Sequence, residues 1–131
     1  MVRRPAVAGQ FYPGNEKKLR ENIEDCFTHE IGPGSLPSEE SEGGDIKGLV
    51  CPHAGYVFSG PVAAHSYKAL VESGIPETVI ILGPNHHGMG AGIAVADEDH
   101  KTPLGKVEID KEMVNSLTED DDLLQVDNMA H

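Results

Sequence analysis

Three histidines of this sequence lie shortly after apolar runs, where a rigid turn could present them. His53 lies in "VCPHAGY", and His86 and His87 lie in "ILGPNHHG". A neutral imidazole is a ligand for zinc, copper or iron, and it also exchanges protons near neutral pH. These positions therefore indicate either a divalent-metal site or general acid/base chemistry.

The elements that must position these histidines are two predicted strands and the helix between them. Residues 46–52 and 78–83 are short, apolar runs of the kind found in parallel strands covered on both faces. Pro61 suits the first position of a helix, and Gly74 is a stop signal after it. The order strand, helix, strand predicts a right-handed βαβ unit and an α/β fold.

This arrangement predicts that His53 and His86 face one crevice, because ligands bind outside the carboxyl ends of the strands in open α/β sheets. Pro52 and Pro84 fix φ beside the histidines, so both imidazoles are expected on stiff corners. His87 is a weaker candidate than His86, since adjacent loop side chains usually point in different directions.

Two further residues near His53 have alternative interpretations. Strand alternation would place Cys51 on the same face as His53, as a ligand or redox thiol, although a buried strand cysteine is the commoner case. Tyr56 could donate a hydrogen bond in the pocket or pack as a loop anchor. His65 falls inside the predicted helix, which favours packing or a surface hydrogen bond over a role in the site.

A metal site generally needs three protein ligands, and the sequence offers two good histidines. Asp97, Glu98 and Asp99 follow a predicted third strand at 91–96 and are candidates for the third ligand. Such acidic clusters are usually solvated loops, so the third ligand is not identified. The remaining histidines (His29, His100 and His131) have no supporting context.

Helix caps and turns outline the rest of the chain. Asn15 is expected to cap a first helix, and Asp110 a short helix that follows a fourth strand candidate at 106–110. The Gly-, Pro- and Ser-rich acidic segment at 32–45 predicts a surface loop. At 131 residues, the chain fits one domain.

The composition excludes several classes of protein. The 22 acidic against 10 basic residues give a net charge of −12, which disfavours nucleic-acid binding. No apolar run approaches the roughly 18 residues of a membrane span, so no membrane association is expected. Two distant cysteines form neither a disulfide framework nor a metal knuckle, which favours reduced thiols in a cytoplasmic protein.

Four segments, in this order, resemble the Memo family, also called AmmeMemoRadiSam system protein B. They are "RRPAVAGQFYPG", "CPHAGYVFSGPVAAHSYKAL", "VIILGPNHHG" and "TPLGKVEID". Members of that family are roughly twice as long. The resemblance therefore implies that residues 1–131 are the N-terminal half of a single Memo-like domain, and that the chain is a fragment or a truncated product.

The resemblance also implies a fold and a pocket. The family is similar to class III extradiol dioxygenases, with a parallel or mixed sheet and flanking helices. Its pocket histidines correspond to His53 and His86, and iron or copper is the implied metal. The later pocket residues would lie in the other half of the domain.

Two functions remain open at this point. The first is a metal-dependent, oxidoreductase-like activity that uses the histidine-lined pocket. The alternative is a non-enzymatic adaptor or ligand-binding protein, whose pocket captures a small molecule or a peptide.

Overall fold

The computed structural model describes residues 1–38, 46–120 and 122–131. The helices and strands of these residues are β1 (Val2–Arg3), α1 (Glu16–Thr28), α2 (Tyr56–Glu72), β2 (Ala94–Val95), β3 (Asp99–Thr102), β4 (Gly105–Val107), α3 (Lys111–Asp120), β5 (Gln125–Val126) and a 3-10 turn (Asn128–Ala130). Among the described residues, no helix combines the length and the hydrophobicity that a membrane span requires. The predicted α/β class is confirmed.

The described residues divide into two compact units. One unit is Ala6–Glu77, which contains α1 and α2. The other joins Met1–Pro5 to Thr78–His131 and contains α3 and all five strands. The prediction that residues 1–131 form half of one larger domain stays a prediction.

Helix α1 starts and packs as its sequence predicts. The backbone N–H of Lys18 donates to Oδ1 of Asn15 over 3.2 Å, so Asn15 is the N-cap. Leu19 and Cys26 lie on the buried face of the helix and are 3% and 8% exposed. Burial, with a smaller contribution from the neighbouring Asp25 carboxylate, raises the pKa of the Cys26 thiol.

Helix α2 begins earlier than the sequence predicts. It starts at Tyr56, and Pro61, which was expected to open the helix, is a buried residue inside it. Because Pro61 has no N–H, this position lacks one helical hydrogen bond, but the side chain lies in the protein interior. The predicted stop is confirmed, since α2 ends at Glu72 and Gly74 adopts a φ of +104°.

The predicted βαβ unit is wrong, because neither of its strands forms. Residues 46–52 and 78–83 lie outside every strand of the described part of the chain. Val50, Ile81 and Leu82 are 96%, 86% and 91% exposed. An apolar run suits a buried strand only when partner strands and a covering layer are present, and the described residues provide no ladder for these segments.

The strands that do form are short and lie in the second unit. β1 pairs in parallel with β3, β3 pairs antiparallel with β4, and β2 pairs in parallel with β5. β2 confirms the third predicted strand with narrower bounds, and β4 confirms the fourth but starts one residue earlier, at Gly105, and ends at Val107. β1, β3 and β5 were not predicted, since strands of two to four residues carry little periodicity.

The predicted acidic loop at 32–45 is described only in part. Ser38 is tied to α2, because its backbone N–H and its hydroxyl both donate to Oε1 of Glu72, over 3.0 and 2.9 Å. Lys68 lies 3.7 Å from the same carboxylate oxygen. Residues 39–45 of the predicted loop lie outside the described residues.

Candidate histidine site

His53 is exposed and lies just before the first turn of α2, in the unit Ala6–Glu77. Hydrogen bonds hold the chain beside it. The hydroxyl of Ser59 donates to the carbonyl of Ala54 over 3.0 Å, and the N–H of Tyr56 donates to the carbonyl of Phe11 over 3.2 Å. The start of α2 therefore restrains the backbone that follows His53.

His86 and His87 are exposed on a closed turn of the other unit. The side-chain amide of Asn85 donates to the carbonyl of Met89 over 2.7 Å, which closes the turn. Gly88 and Gly90 have φ of +61° and +72°, a conformation that favours glycine. The turn is therefore closed by a side-chain bond and two glycines, although the strand before it does not form, and the prediction that His86 faces a crevice stays a prediction.

Asp127, which bonds to this loop, and Asn128, which bonds to the residues after β2, were not found from the sequence. Oδ2 of Asp127 accepts a hydrogen bond from the N–H of Ala91 over 2.7 Å. Asn128 and Asp97 exchange two bonds, from the Asn128 amide to Oδ1 of Asp97 over 2.7 Å and from the Asp97 N–H to Oδ1 of Asn128 over 3.1 Å. The available signal was the Asp-Asn pair itself, since both residues favour turns and caps.

Tyr56 lies beside a small cleft in the unit Ala6–Glu77. Its ring centroid is 5.9 Å from that of Tyr12, at an interplanar angle of 38°. Burial, as the largest of several causes, raises the pKa of the Tyr56 hydroxyl. The cleft has a volume of about 220 Å³, below the usual size of pockets for drug-sized ligands, and is lined by Gly9, Gln10, Phe11, Tyr12, Pro13, Asn22, Tyr56 and Val57.

Two of the three carboxylates considered as a third ligand, Asp97 and Asp99, are engaged in the fold. Asp97 is bonded to Asn128, as described above. Asp99 accepts from the N–H of Ile109 over 3.1 Å and from Nζ of Lys106 over 3.2 Å. These interactions, the Ile109 bond foremost, lower the pKa of Asp99. The positions of the Asp97 and Asp99 side chains are thus explained by bonds within the fold, without a metal ion.

The expectations for Cys51 and His65 have different outcomes. Cys51 is a half-buried free thiol, outside any strand, so the strand alternation that would align it with His53 does not apply. A ring nitrogen of His65, Nε2, lies 3.1 Å from the carbonyl oxygen of Ile31. The surface hydrogen bond expected for His65 is therefore confirmed.

The described residues do not by themselves complete a metal site. Among residues 1–38, 46–120 and 122–131, no group of three or more histidine, cysteine, aspartate or glutamate side chains is arranged to hold a metal ion. A metal centre generally needs three protein ligands. Imidazoles supply suitable donor atoms, but His53 belongs to the unit Ala6–Glu77 and His86 to the other unit.

Comparison with known proteins identifies the family. The family model described as Memo-like protein matches residues 3–131. The chain belongs to the Memo-like family. MEMO1 family proteins of Methanopyrus kandleri, Methanothermobacter thermautotrophicus and Sulfurisphaera tokodaii are 54%, 50% and 46% identical to it over its whole length. Each alignment covers 47% of the relative, so the chain spans about half the length of the curated relatives it matches.

Proposed function

We propose that this Memo-like chain contributes His53 and His86 as imidazole ligands to an iron or copper site. The observation that carries the proposal is the closed turn around the exposed His86, whose backbone is restrained by the Asn85–Met89 bond and by two glycines with positive φ. The restrained backbone after His53 supports a matching role for that residue. His87 and Cys51 are secondary candidates.

The proposed site needs at least one ligand besides His53 and His86. Two imidazoles leave at least one ligand to be found, and we assign it to the additional polypeptide that the full-length relatives carry. Iron or copper, when bound, would supply Lewis-acid or redox chemistry. The roles of His53 and His86 are to bind and orient the ion.

Metal titration tests this proposal directly. The 131-residue chain and a chimaera extended with the unmatched remainder of the Methanopyrus kandleri relative are each titrated with Fe²⁺, Cu²⁺ and Zn²⁺. We expect the chimaera to bind about one equivalent of metal ion. Its affinity for the ion should be higher than that of the short chain. His53→Ala and His86→Ala should each weaken binding by about tenfold or more, given the effects known for metal-site residues.

The matched control is His65→Gln, which removes an imidazole outside the proposed site. Its amide can still bond to the Ile31 carbonyl. This variant should bind metal like the parent. Affinities that stay unchanged in both His53→Ala and His86→Ala would contradict the proposal.

The alternative function, an adaptor or ligand-binding protein, is favoured by the cleft beside Tyr56. Aromatic rings and amide side chains line it, which suits a small aromatic ligand or an aromatic side chain of a peptide. Aromatic compounds and Tyr-containing peptides can be screened by NMR for shifts at Tyr12 and Tyr56. Binding that survives His53→Ala and His86→Ala, while metal binding does not, would separate this function from the first.

A further inference from the structure

A C-terminal segment fastens the loop that carries His86. We call residues 85–91 the histidine loop and residues 125–128 the strap. The histidine loop leads into β2, and the strap contains β5, which pairs with β2 in parallel. The two segments are more than 30 residues apart in sequence, so their contact is a tertiary feature.

Backbone hydrogen bonds set the register of the strap. The N–H of Gln125 donates to the carbonyl of Ile93, and the N–H of Asp127 donates to the carbonyl of Val95, each over 3.1 Å. This register places the Asp127 side chain beside the end of the histidine loop. The exchange of bonds between Asn128 and Asp97 fixes the strap one residue further on.

The Asp127 carboxylate then bonds to two backbone groups. Oδ2 accepts from the N–H of Ala91 over 2.7 Å, and Oδ1 accepts from the N–H of Met129 over 2.8 Å. A carboxylate bond to a backbone N–H is charge-assisted and stronger than a neutral one. One side chain therefore links the histidine loop to the 3-10 turn.

Gly90 makes this contact feasible. A Cβ at this position would lie 2.5 Å from Oδ2 of Asp127 and 3.2 Å from the backbone nitrogen of Ala130. Its φ of +72° also favours glycine. The loop thus has a glycine at the point where the carboxylate approaches it.

We propose that Asp127 is a positioning residue, which fixes the backbone of the histidine loop and hence the place of His86. The consequence for metal binding rests on the proposed function. The strap itself rests on hydrogen bonds that involve no metal. Asp127 acts through the N–H of Ala91, and His86 is then held between this bond and the Asn85–Met89 closure.

The test compares four variants of the 131-residue chain: Asp127→Ala, Asp127→Asn, Gly90→Ala and the double variant Gly90→Ala/Asp127→Ala. NMR reports the hydrogen-exchange rate of the Ala91 amide and the ring signals of His86. We expect Asp127→Ala to accelerate Ala91 exchange by about tenfold or more, because it removes a bond to a charged acceptor. Asp127→Asn retains one acceptor oxygen, so it should have a smaller effect.

Gly90→Ala should disturb the contact between the loop and the Asp127 carboxylate without changing Asp127 itself. It should also accelerate Ala91 exchange and shift the His86 ring signals. The double variant should cost less than the sum of the two single changes, because the clash with Oδ2 of Asp127 is absent from it, while the strain of an alanine at a φ of +72° remains. Additive effects would mean that the two residues act separately and would overturn the proposal.

Asp110→Ala is the matched control, since Asp110 also bonds to a backbone N–H and to a second donor, at the start of α3. It should leave Ala91 exchange and the His86 signals unchanged. If the Ala91 amide exchanges at the parent rate in both Asp127→Ala and Gly90→Ala, the proposed role of Asp127 is wrong. This conclusion does not depend on the metal titration. Faster exchange together with unchanged metal affinity in His86→Ala would support the strap and contradict the proposed function.

Discussion

At the residue scale, Gly60 sets how closely α1 and α2 approach. A Cβ at Gly60 would lie 2.5 Å from Sγ of Cys26 and 3.4 Å from Cβ of Tyr56. Real side chains do not tolerate the first distance, so the helices would have to separate or the thiol to rotate. Cys26 is therefore a packing residue, because its buried thiol fills the space beside Gly60.

Gly60→Ala is therefore expected to destabilise the protein. Overpacking costs about 1–3 kcal/mol, and the better helix propensity of alanine returns up to about 1 kcal/mol. We expect the free energy of unfolding to fall by about 1–2 kcal/mol. Urea unfolding followed by circular dichroism measures this change.

A double-mutant cycle identifies the cause. In a Cys26→Ala background the obstructing sulfur is absent, so adding Gly60→Ala should be neutral or stabilising. Gly48→Ala is the control, because a Cβ there meets no atom within 4 Å. An equal cost of Gly60→Ala in both backgrounds would show that Cys26 is not the obstacle.

At the element scale, Asp110 holds the start of α3 and Asp99 ties the start of β3 to the residues after β4. Asp110 accepts from the N–H of Met113 over 3.0 Å and from the hydroxyl of Thr78 over 2.9 Å. These bonds, the Met113 bond foremost, lower the pKa of Asp110. Asp99 has a lowered pKa for the analogous reason, its bond from the N–H of Ile109.

The lowered pKa values predict a loss of stability in acid. A carboxyl with a lower pKa in the folded state stabilises the fold above its unfolded-state pKa of about 4, and this contribution is lost as pH falls through the folded-state pKa. Asp110→Asn should lower stability at pH 7 and reduce the further loss below about pH 4. Urea midpoints measured across this range test the prediction.

The control for the acid experiment is Asp122→Asn, which changes an exposed carboxylate. It should keep both the stability at pH 7 and the acid dependence of the parent. If Asp110→Asn shows the full acid dependence of the parent, the bonds of Asp110 are not its source.

At the scale of the whole molecule, an apolar segment is exposed on a highly charged chain. Val79, Ile80, Ile81 and Leu82 are all more than half exposed. The net charge of −12 opposes association, whereas burial of this segment favours it. The chain also spans about half the length of its curated relatives, whose additional polypeptide is our candidate cover.

We expect the 131-residue chain to self-associate with rising concentration. Ile81→Glu should weaken this association by about tenfold or more, because burying one isoleucine is worth roughly 1.5–3 kcal/mol. Sedimentation velocity over a concentration series measures the effect. Ile31→Glu, which changes another exposed isoleucine, is the control and should behave like the parent.

Added salt separates charge from burial in this experiment. Screening of the net negative charge should strengthen association of the parent. A chain that stays monomeric at all concentrations and salt levels would show that the segment needs no cover.

The sequence alone determined the local features of this protein. Asn15 and Asp110 were predictable as caps, and Gly74 as a stop, because capping depends on a few neighbouring residues. The motifs around His53 and His86 were enough to indicate the Memo-like family, which the match over residues 3–131 confirms.

Only the tertiary structure decided what depends on distant partners. Residues 46–52 and 78–83 have strand-like sequences, yet they form no strand, because a strand requires a neighbour that local sequence does not specify. Likewise, the bond from Ala91 to Asp127 joins residues 36 positions apart. Hydrophobic pattern reports which conformation a segment suits, whereas pairing and long-range hydrogen bonds depend on which segments the fold brings together.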